Sequence, residues 1–130
     1  MLHILVVTTR PAALQDFLAA LTEAGEIDVK LAASGAATLE AATVPPDLVI
    51  VDSQVPDTDP LPLIHRLLLA NAMINTAVIS SLAAEEFHEA SEGLGVLQQL
   101  PDPPGARDAA PLLDKLRRIL GLSPRVSAST

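Results

Sequence analysis

Asp52 is the residue of this sequence best placed to do chemistry. It follows Leu48-Val49-Ile50-Val51, four apolar residues of which three are β-branched. A continuous apolar run this short predicts a strand covered on both faces, as in a parallel sheet. Open α/β sheets keep their sites at the carboxyl ends of such strands, and the proline- and aspartate-rich segment after Asp52 predicts a loop there. The sequence therefore predicts a carboxylate at the edge of a sheet, and its chemistry depends on what other elements bring beside it.

Other kinds of site find little support in the sequence. The absence of cysteine excludes disulfides, thiolate metal sites and thiol nucleophiles. His3, His65 and His88 are scattered and do not have the spacing of metal ligands. Asp57 and Asp59 lack the glycine and the distal glutamate of a calcium-binding loop, and no glycine-rich phosphate loop is present. We therefore expect no metal site from these residues.

Composition predicts one acidic domain of ordinary size. The chain has 130 residues, a formal net charge of −8 and 49% hydrophobic residues, with two phenylalanines as the only aromatic side chains. The core should therefore be aliphatic, and nucleic-acid binding is not expected because it usually needs a basic face. We see no basic leader and no apolar run of about 18 residues, so we expect a cytoplasmic location without membrane contact. The predicted domain covers residues 1–122, and residues 123–130 form a predicted flexible tail.

Strand and helix patterns alternate along the chain. Short apolar segments predict strands near 4–7, 27–31, 47–52, 76–81 and 96–100, and each is followed by a segment with helical spacing. Thr9 is the expected cap of the first helix, and Gly121 is expected to close the last. Five strand–helix units in this order predict a single doubly wound α/β domain with a parallel sheet and right-handed crossovers.

Residues 1–121 resemble the receiver domain of two-component response regulators. The resemblance rests on the first strand at Ile4–Val7, on the signature from Asp47 to Pro56, and on Asp59 in the following loop. It implies a three-layer α/β/α fold whose five-stranded sheet has the order 2-1-3-4-5. It also implies that Asp52 stands at the phosphoacceptor position and Ser80 at that of the switch hydroxyl.

The sequence departs from the family where the phosphoryl chemistry needs charge. The acidic pair after the first strand is replaced by Thr8 and Thr9, although Mg²⁺ prefers hard oxygen ligands that include carboxylates. The lysine position reads Asp102 or Leu100, depending on which glycine of Gly93-Leu94-Gly95 is aligned. We favour Asp102 because that alignment also places Ser80. The resemblance therefore implies a degenerate receiver with weak affinity for Mg²⁺.

These departures predict a stand-alone signalling domain that acts by protein–protein interaction without Mg²⁺-dependent aspartyl phosphorylation. The expected partner is another signalling protein, and no cofactor is expected. One alternative is an atypical but active phosphoacceptor in a phosphorelay, which would use Asp52 and Mg²⁺. Another is a flavodoxin-like domain that binds a small ligand, although the few aromatic residues argue against a flavin.

Two helices carry charges of opposite sign. The fourth helix is acidic and the fifth is basic at its end. Solvated faces are the ordinary explanation, but receivers commonly dimerise through the fourth helix, fifth strand and fifth helix, and opposite charges could meet across a twofold axis. The residues predicted for such a homodimer interface are Glu85, Glu86, Phe87, Glu89, Lys115, Arg117 and Arg118.

Overall fold

The structure, a computed structural model, describes residues 2–121 as a five-stranded parallel sheet with helices on both faces. The strands are β1 (Leu2–Val7), β2 (Ile27–Ala32), β3 (Leu48–Val51), β4 (Asn75–Ile79) and β5 (Gln98–Leu100). The helices are α1 (Gln15–Glu23), α2 (Gly35–Ala41), α3 (Pro60–Ala70), α4 (Ala84–Ala90) and α5 (Ala109–Ile119), with 3₁₀ turns at Pro11–Leu14 and Ala106–Asp108. The strand order is β2-β1-β3-β4-β5, which confirms the predicted topology. The predicted tail, 123–130, lies outside the described residues.

The central strand β3 explains the position of Asp52. All four of its residues are fully buried, as the continuous apolar run predicts. Its last residue, Val51, lies opposite Val7 of β1 on one side and Val78 of β4 on the other. Because parallel strands end at the same edge of a sheet, the loops after β1, β3 and β4 are neighbours there.

Two aliphatic layers hold the sheet between its helices. One layer joins α1 and α5 to the sheet and contains Phe17, Leu21 and Leu112. The other joins α2, α3 and α4 and contains Leu67 and Phe87. Each phenylalanine therefore serves one face, and the rest of the packing depends on close-fitting aliphatic side chains.

Several local expectations differ from the structure. The strand predicted near 27–31 extends to Ala32, and its residue Leu31 is 52% exposed on an edge strand with one neighbour. Thr9 does not cap a helix: the chain enters a 3₁₀ turn at Pro11, and Arg10 is the residue before it. β4 ends at Ile79 instead of Ser81, and β5 is three residues long. Within residues 2–121, the helices are too short or too polar to cross a bilayer.

Candidate functional site

Asp52 lies at the carboxyl end of β3 with its side chain fully buried. Its N–H donates to the carbonyl of Val7 (2.9 Å), which continues the pairing of β1 and β3 by one residue. The carboxylate Oδ1 accepts the N–H of Ser53 (2.7 Å). A carboxylate removed from water in this way is costly unless hydrogen bonds or an opposite charge replace its hydration.

Arg10 supplies that opposite charge. Its Nε donates to Oδ2 of Asp52 (2.9 Å) and its Nη2 donates to Oδ1 (2.7 Å), so the guanidinium contacts both carboxylate oxygens. This two-point geometry is the strongest that arginine makes with a carboxylate. The Arg10 side chain is 27% exposed, so the pair is mostly but not wholly screened from solvent.

Thr8 shapes the turn that brings Arg10 to Asp52. Its Oγ1 donates to Oδ2 of Asp52 (2.7 Å) and accepts the N–H of Arg10 (3.0 Å). The same hydroxyl therefore donates a hydrogen bond to the buried carboxylate and holds the turn that places Arg10 beside it. Thr9, by contrast, is exposed, so only one of the two threonines at the predicted metal positions contributes to the site.

Asp102 binds the other side of the same guanidinium. Its Oδ1 accepts from Nη2 of Arg10 (2.6 Å), and its Oδ2 accepts from Oγ of Ser53 (2.8 Å). The peptide bond from Asp102 to Pro103 is cis. Leu100 pairs with Ile79 inside the sheet and is buried in the core. Of the two alternatives for the lysine position, Asp102 reaches the site and Leu100 does not.

We call Thr8, Arg10, Asp52, Ser53 and Asp102 the Arg10 cluster. With both carboxylates ionised, its formal charge is −1. Burial raises the pKa of Asp52, but hydrogen bonds from Arg10, Thr8 and the Ser53 N–H outweigh burial and lower it below its usual value. Hydrogen bonds to Asp52 and Asp102 raise the pKa of Arg10. The cluster therefore holds charged groups that stabilise one another.

The residues beside Asp52 do not fit the Mg²⁺ that the resemblance implies. Mg²⁺ needs several oxygen ligands in near-octahedral geometry, including carboxylates. Here both oxygens of Asp52 face a guanidinium, and Thr8 offers a hydroxyl whose proton already points to Asp52. Nowhere in residues 2–121 do three acidic, histidine or cysteine side chains form a group able to hold a metal.

Ser80, the predicted switch hydroxyl, makes local contacts. Its Oγ accepts the N–H of Leu82 (3.2 Å), and its N–H donates to the carbonyl of Leu100 (3.0 Å). Within the described chain, no hydrogen bond joins Ser80 to the Arg10 cluster. Ser80 and Ser53 do line the same surface groove between the loops that follow β3 and β4.

The loop after Asp52 is fixed to the start of α2. The carboxylate of Asp57 accepts the N–H groups of Gly35 (2.7 Å) and Ala36 (3.1 Å), and these bonds lower the pKa of Asp57. A Cβ at Gly35 would lie 2.7 Å from Cγ2 of Thr58, so a larger residue here would force the Thr58 side chain or the loop to shift. Asp59 precedes α3 but makes no side-chain cap.

The predicted interface residues divide into two groups. Glu85, Glu86 and Glu89 are exposed on α4, but Phe87 is only 6% exposed and packs in the core. Phe87 therefore has little exposed surface, because a helix anchor turned toward the sheet is mostly covered, and its place in a homodimer interface stays a prediction. The basic residues lie on α5, where Lys115 donates to Oε1 of Gln98 (2.6 Å), Arg117 is half-buried and Arg118 is exposed.

Solved structures share this architecture over nearly the whole chain. The N-terminal domain of an uncharacterized protein from Wolinella succinogenes is 24% identical with a TM-score of 0.75, over 92% of this chain and 97% of that one. A response regulator receiver domain protein from Clostridium thermocellum is 19% identical with a TM-score of 0.76, over 95% of this chain and 100% of that one. A response regulator receiver domain protein from Methanospirillum hungatei is 23% identical with a TM-score of 0.72, over 93% and 94% of the two chains. The chain has the receiver fold. No protein-family model and no curated protein matches it.

The functional residue that the sequence pattern does not reveal is Arg10. A receiver-fold comparison directs attention to the two positions after the first strand, which are threonines here, and not to the third. The available signal is electrostatic: a carboxylate expected at a buried strand end needs a cation, and Arg10 is the basic residue nearest to the end of β1 in the sequence.

Proposed function

We propose that this chain is a receiver-fold signalling module that acts by protein–protein interaction in the cytoplasm, without enzymatic activity and without Mg²⁺-dependent phosphorylation of Asp52. The receiver fold supports the signalling role. The observation that carries the rest is the two-point ion pair between Arg10 and Asp52. Because both carboxylate oxygens of Asp52 accept hydrogen bonds from Arg10, this pair would have to open before Asp52 could bind a metal or attack a phosphoryl donor.

The charges of the Arg10 cluster oppose phosphoryl transfer. An incoming phosphoryl group carries negative charge that the site must neutralise, and metal ions or basic side chains usually do so. The only cation of the cluster is already shared between Asp52 and Asp102. Asp102 also places a negative charge where the receiver family has a lysine, so a phosphoryl group would meet repulsion there.

The same contacts keep this edge of the sheet in one arrangement. Arg10 follows β1, Asp52 and Ser53 follow β3, and Asp102 follows β5, so the cluster joins three loops. A partner could bind a surface held by these contacts without prior phosphorylation of Asp52. Regulation would then depend on the abundance or state of the partner.

Phosphoryl labelling tests this proposal directly. Purified protein is incubated with acetyl phosphate and Mg²⁺, and intact mass spectrometry measures the gain of one phosphoryl group. A matched variant, Thr8→Asp/Thr9→Asp/Arg10→Ser/Asp102→Lys, restores the charges of the family and serves as the comparison. We expect no gain in the wild type. A phosphoryl group on Asp52 of the wild-type chain would refute the proposal and favour the active phosphoacceptor.

A homodimer through α4, β5 and α5 remains a prediction. The exposed glutamates of α4 and the exposed Arg118 support it, while the burial of Phe87 leaves the apolar contribution to the half-buried Val96 and Leu97. Exposed charge pairs contribute only about 0.2–1 kcal/mol each, so we expect any such dimer to be weak and sensitive to salt. Sedimentation at high protein concentration and low salt measures it, and a monomer under those conditions would exclude it.

A further inference from the structure

A groove opens between the start of α3 and the start of α4, beside the Arg10 cluster. Its volume is about 360 Å³, within the usual range for binding pockets. Its lining is mainly apolar and includes Pro60, Leu61, Pro62, Leu82 and Phe87. We call it the α3–α4 groove.

The walls of the α3–α4 groove combine rigid and accessible apolar groups. Phe87 is packed into the core and forms a fixed floor, whereas Leu82 is 46% exposed and stands at the opening. Pro60 and Pro62 belong to the first turn of α3, where proline restricts the backbone. A preformed apolar recess of this kind can accept one large side chain with little ordering of its own residues.

Acidic residues predominate in the two segments that line the groove. The two segments that line it, residues 53–62 and 78–92, contain six acidic residues and no lysine or arginine. Asp59 lines the groove itself, and Glu85, Glu86 and Glu89 are exposed on α4 directly after Leu82. Asp57 is held by the start of α2, which leaves the others to set the potential at the opening. An acidic border repels anionic ligands and attracts basic ones.

We propose that the α3–α4 groove docks a segment of a partner protein in which lysine or arginine residues flank one large apolar side chain. The apolar side chain enters the recess beside Leu82, and the basic residues face Asp59 and the glutamates of α4. This inference rests on the proposed function, because it names the chemistry of the partner that the signalling module recognises. It uses no residue of the Arg10 cluster except Ser53 at the edge of the groove.

Selection from a library of random peptides displayed on phage tests the chemistry of the occupant. The full chain is immobilised, and the enriched sequences are synthesised and titrated by calorimetry at low and high salt. We expect enrichment of peptides with a large apolar residue next to lysine or arginine, with affinity that falls as salt rises. Enrichment of neutral or acidic peptides, or of none, would overturn the inference.

Surface variants locate the binding on the protein. Leu82→Ser and Glu85→Lys/Glu86→Lys alter the opening, whereas Val44→Ser and Glu40→Lys are controls on other exposed residues of the second helix and the loop after it. We expect each groove variant to weaken peptide binding about tenfold, equivalent to about 1.4 kcal/mol, and the controls to leave it unchanged. Circular dichroism melts confirm that each variant is folded, and equal losses in groove and control variants would contradict the assignment.

The remaining outcomes separate this inference from the proposed function. Sedimentation showing that second copies of the chain compete with the peptides would assign the groove to self-association and overturn the inference. Phosphorylation of Asp52 together with intact peptide binding would refute the proposed function alone. An unphosphorylated chain that selects no basic–apolar peptide would refute the groove assignment alone.

Discussion

Replacing Arg10 with methionine tests the ion pair that organises the site. Methionine keeps much of the aliphatic stem of arginine and removes the charge and every donor. Asp52 would then remain in a fully buried position with hydrogen bonds from the Thr8 hydroxyl, the Ser53 N–H and, at 3.3 Å, the Ser53 hydroxyl, but without a counter-ion. The structure therefore predicts that Arg10→Met leaves a buried charge without its counter-ion.

The magnitude follows from the burial of the two partners. Removing one partner of a buried ion pair lowers the unfolding free energy by about 3–5 kcal/mol. Because the Arg10 side chain is 27% exposed, we expect Arg10→Met to lower it by somewhat less, about 2–3 kcal/mol. Asp52→Asn should lower the unfolding free energy by about 1–2 kcal/mol. The loss is smaller because Arg10 can still donate hydrogen bonds to Asp102 and to the amide oxygen of the new asparagine. The double variant carries no charge at position 52, although Asp102, 18% exposed, still loses its contact with Arg10. We therefore expect the double variant to lose about 2 kcal/mol of unfolding free energy, well short of the roughly 4 kcal/mol expected without coupling.

Urea unfolding at neutral pH measures this double-mutant cycle. We predict a coupling energy of about 2 kcal/mol between residues 10 and 52, with Arg66→Met as the control. Arg66 is exposed on α3, and its loss should change the unfolding free energy by less than about 0.5 kcal/mol. A coupling energy below about 0.5 kcal/mol would refute the claim that the pair stabilises the fold.

Three further predictions concern other features. Thr76→Val should raise the unfolding free energy by about 1 kcal/mol, because the Thr76 hydroxyl is the one buried side-chain polar atom of residues 2–121 without a hydrogen-bond partner; a loss of stability in urea would contradict this. Gly35→Ala should cost about 1–3 kcal/mol, since its Cβ would meet Thr58 at 2.7 Å, and an unchanged melting temperature would show that the loop yields easily. The lowered pKa of Asp52 means that its pairing stabilises the fold fully above about pH 4–5 and less as the pH falls through the folded-state pKa. The difference in unfolding free energy between wild type and Asp52→Asn should therefore shrink as the pH falls. A difference that grows in acid would contradict a lowered pKa of Asp52.

The fold could be predicted because its determinants are local and repeated. The run Leu48–Val51 needs only its own residue types to indicate a buried strand, and five alternating units leave little choice of topology. Asp52 follows from the same run, because the first polar residue after a buried strand lies at the sheet edge. The exposure of Leu31 in β2 could not be predicted from its residue type, because it depends on the edge position of β2 in the assembled sheet.

The content of the site could not be predicted because it depends on three loops that meet only in the folded chain. Residues 10, 52 and 102 are far apart in sequence, and the reach of Arg10 depends on the turn that the Thr8 hydroxyl holds. Thr8, Thr9 and Asp102 at the positions of the family's acids and lysine predict a changed charge at the site, but this prediction does not identify the cation that pairs with Asp52. A buried carboxylate needs a cation, but the sequence alone does not show which basic residue reaches it.

NMR of the arginine side chains during addition of Mg²⁺ and beryllofluoride, a phosphoryl mimic, tests the central claim most directly. If Arg10 holds Asp52, its Nε–H resonance should keep the position expected for a carboxylate-bound guanidinium throughout the titration, and the backbone signals of residues 52 and 53 should not move. A saturable shift of the Arg10 resonance, with a beryllofluoride adduct on Asp52, would show that the cation leaves and that the site accepts a phosphoryl group.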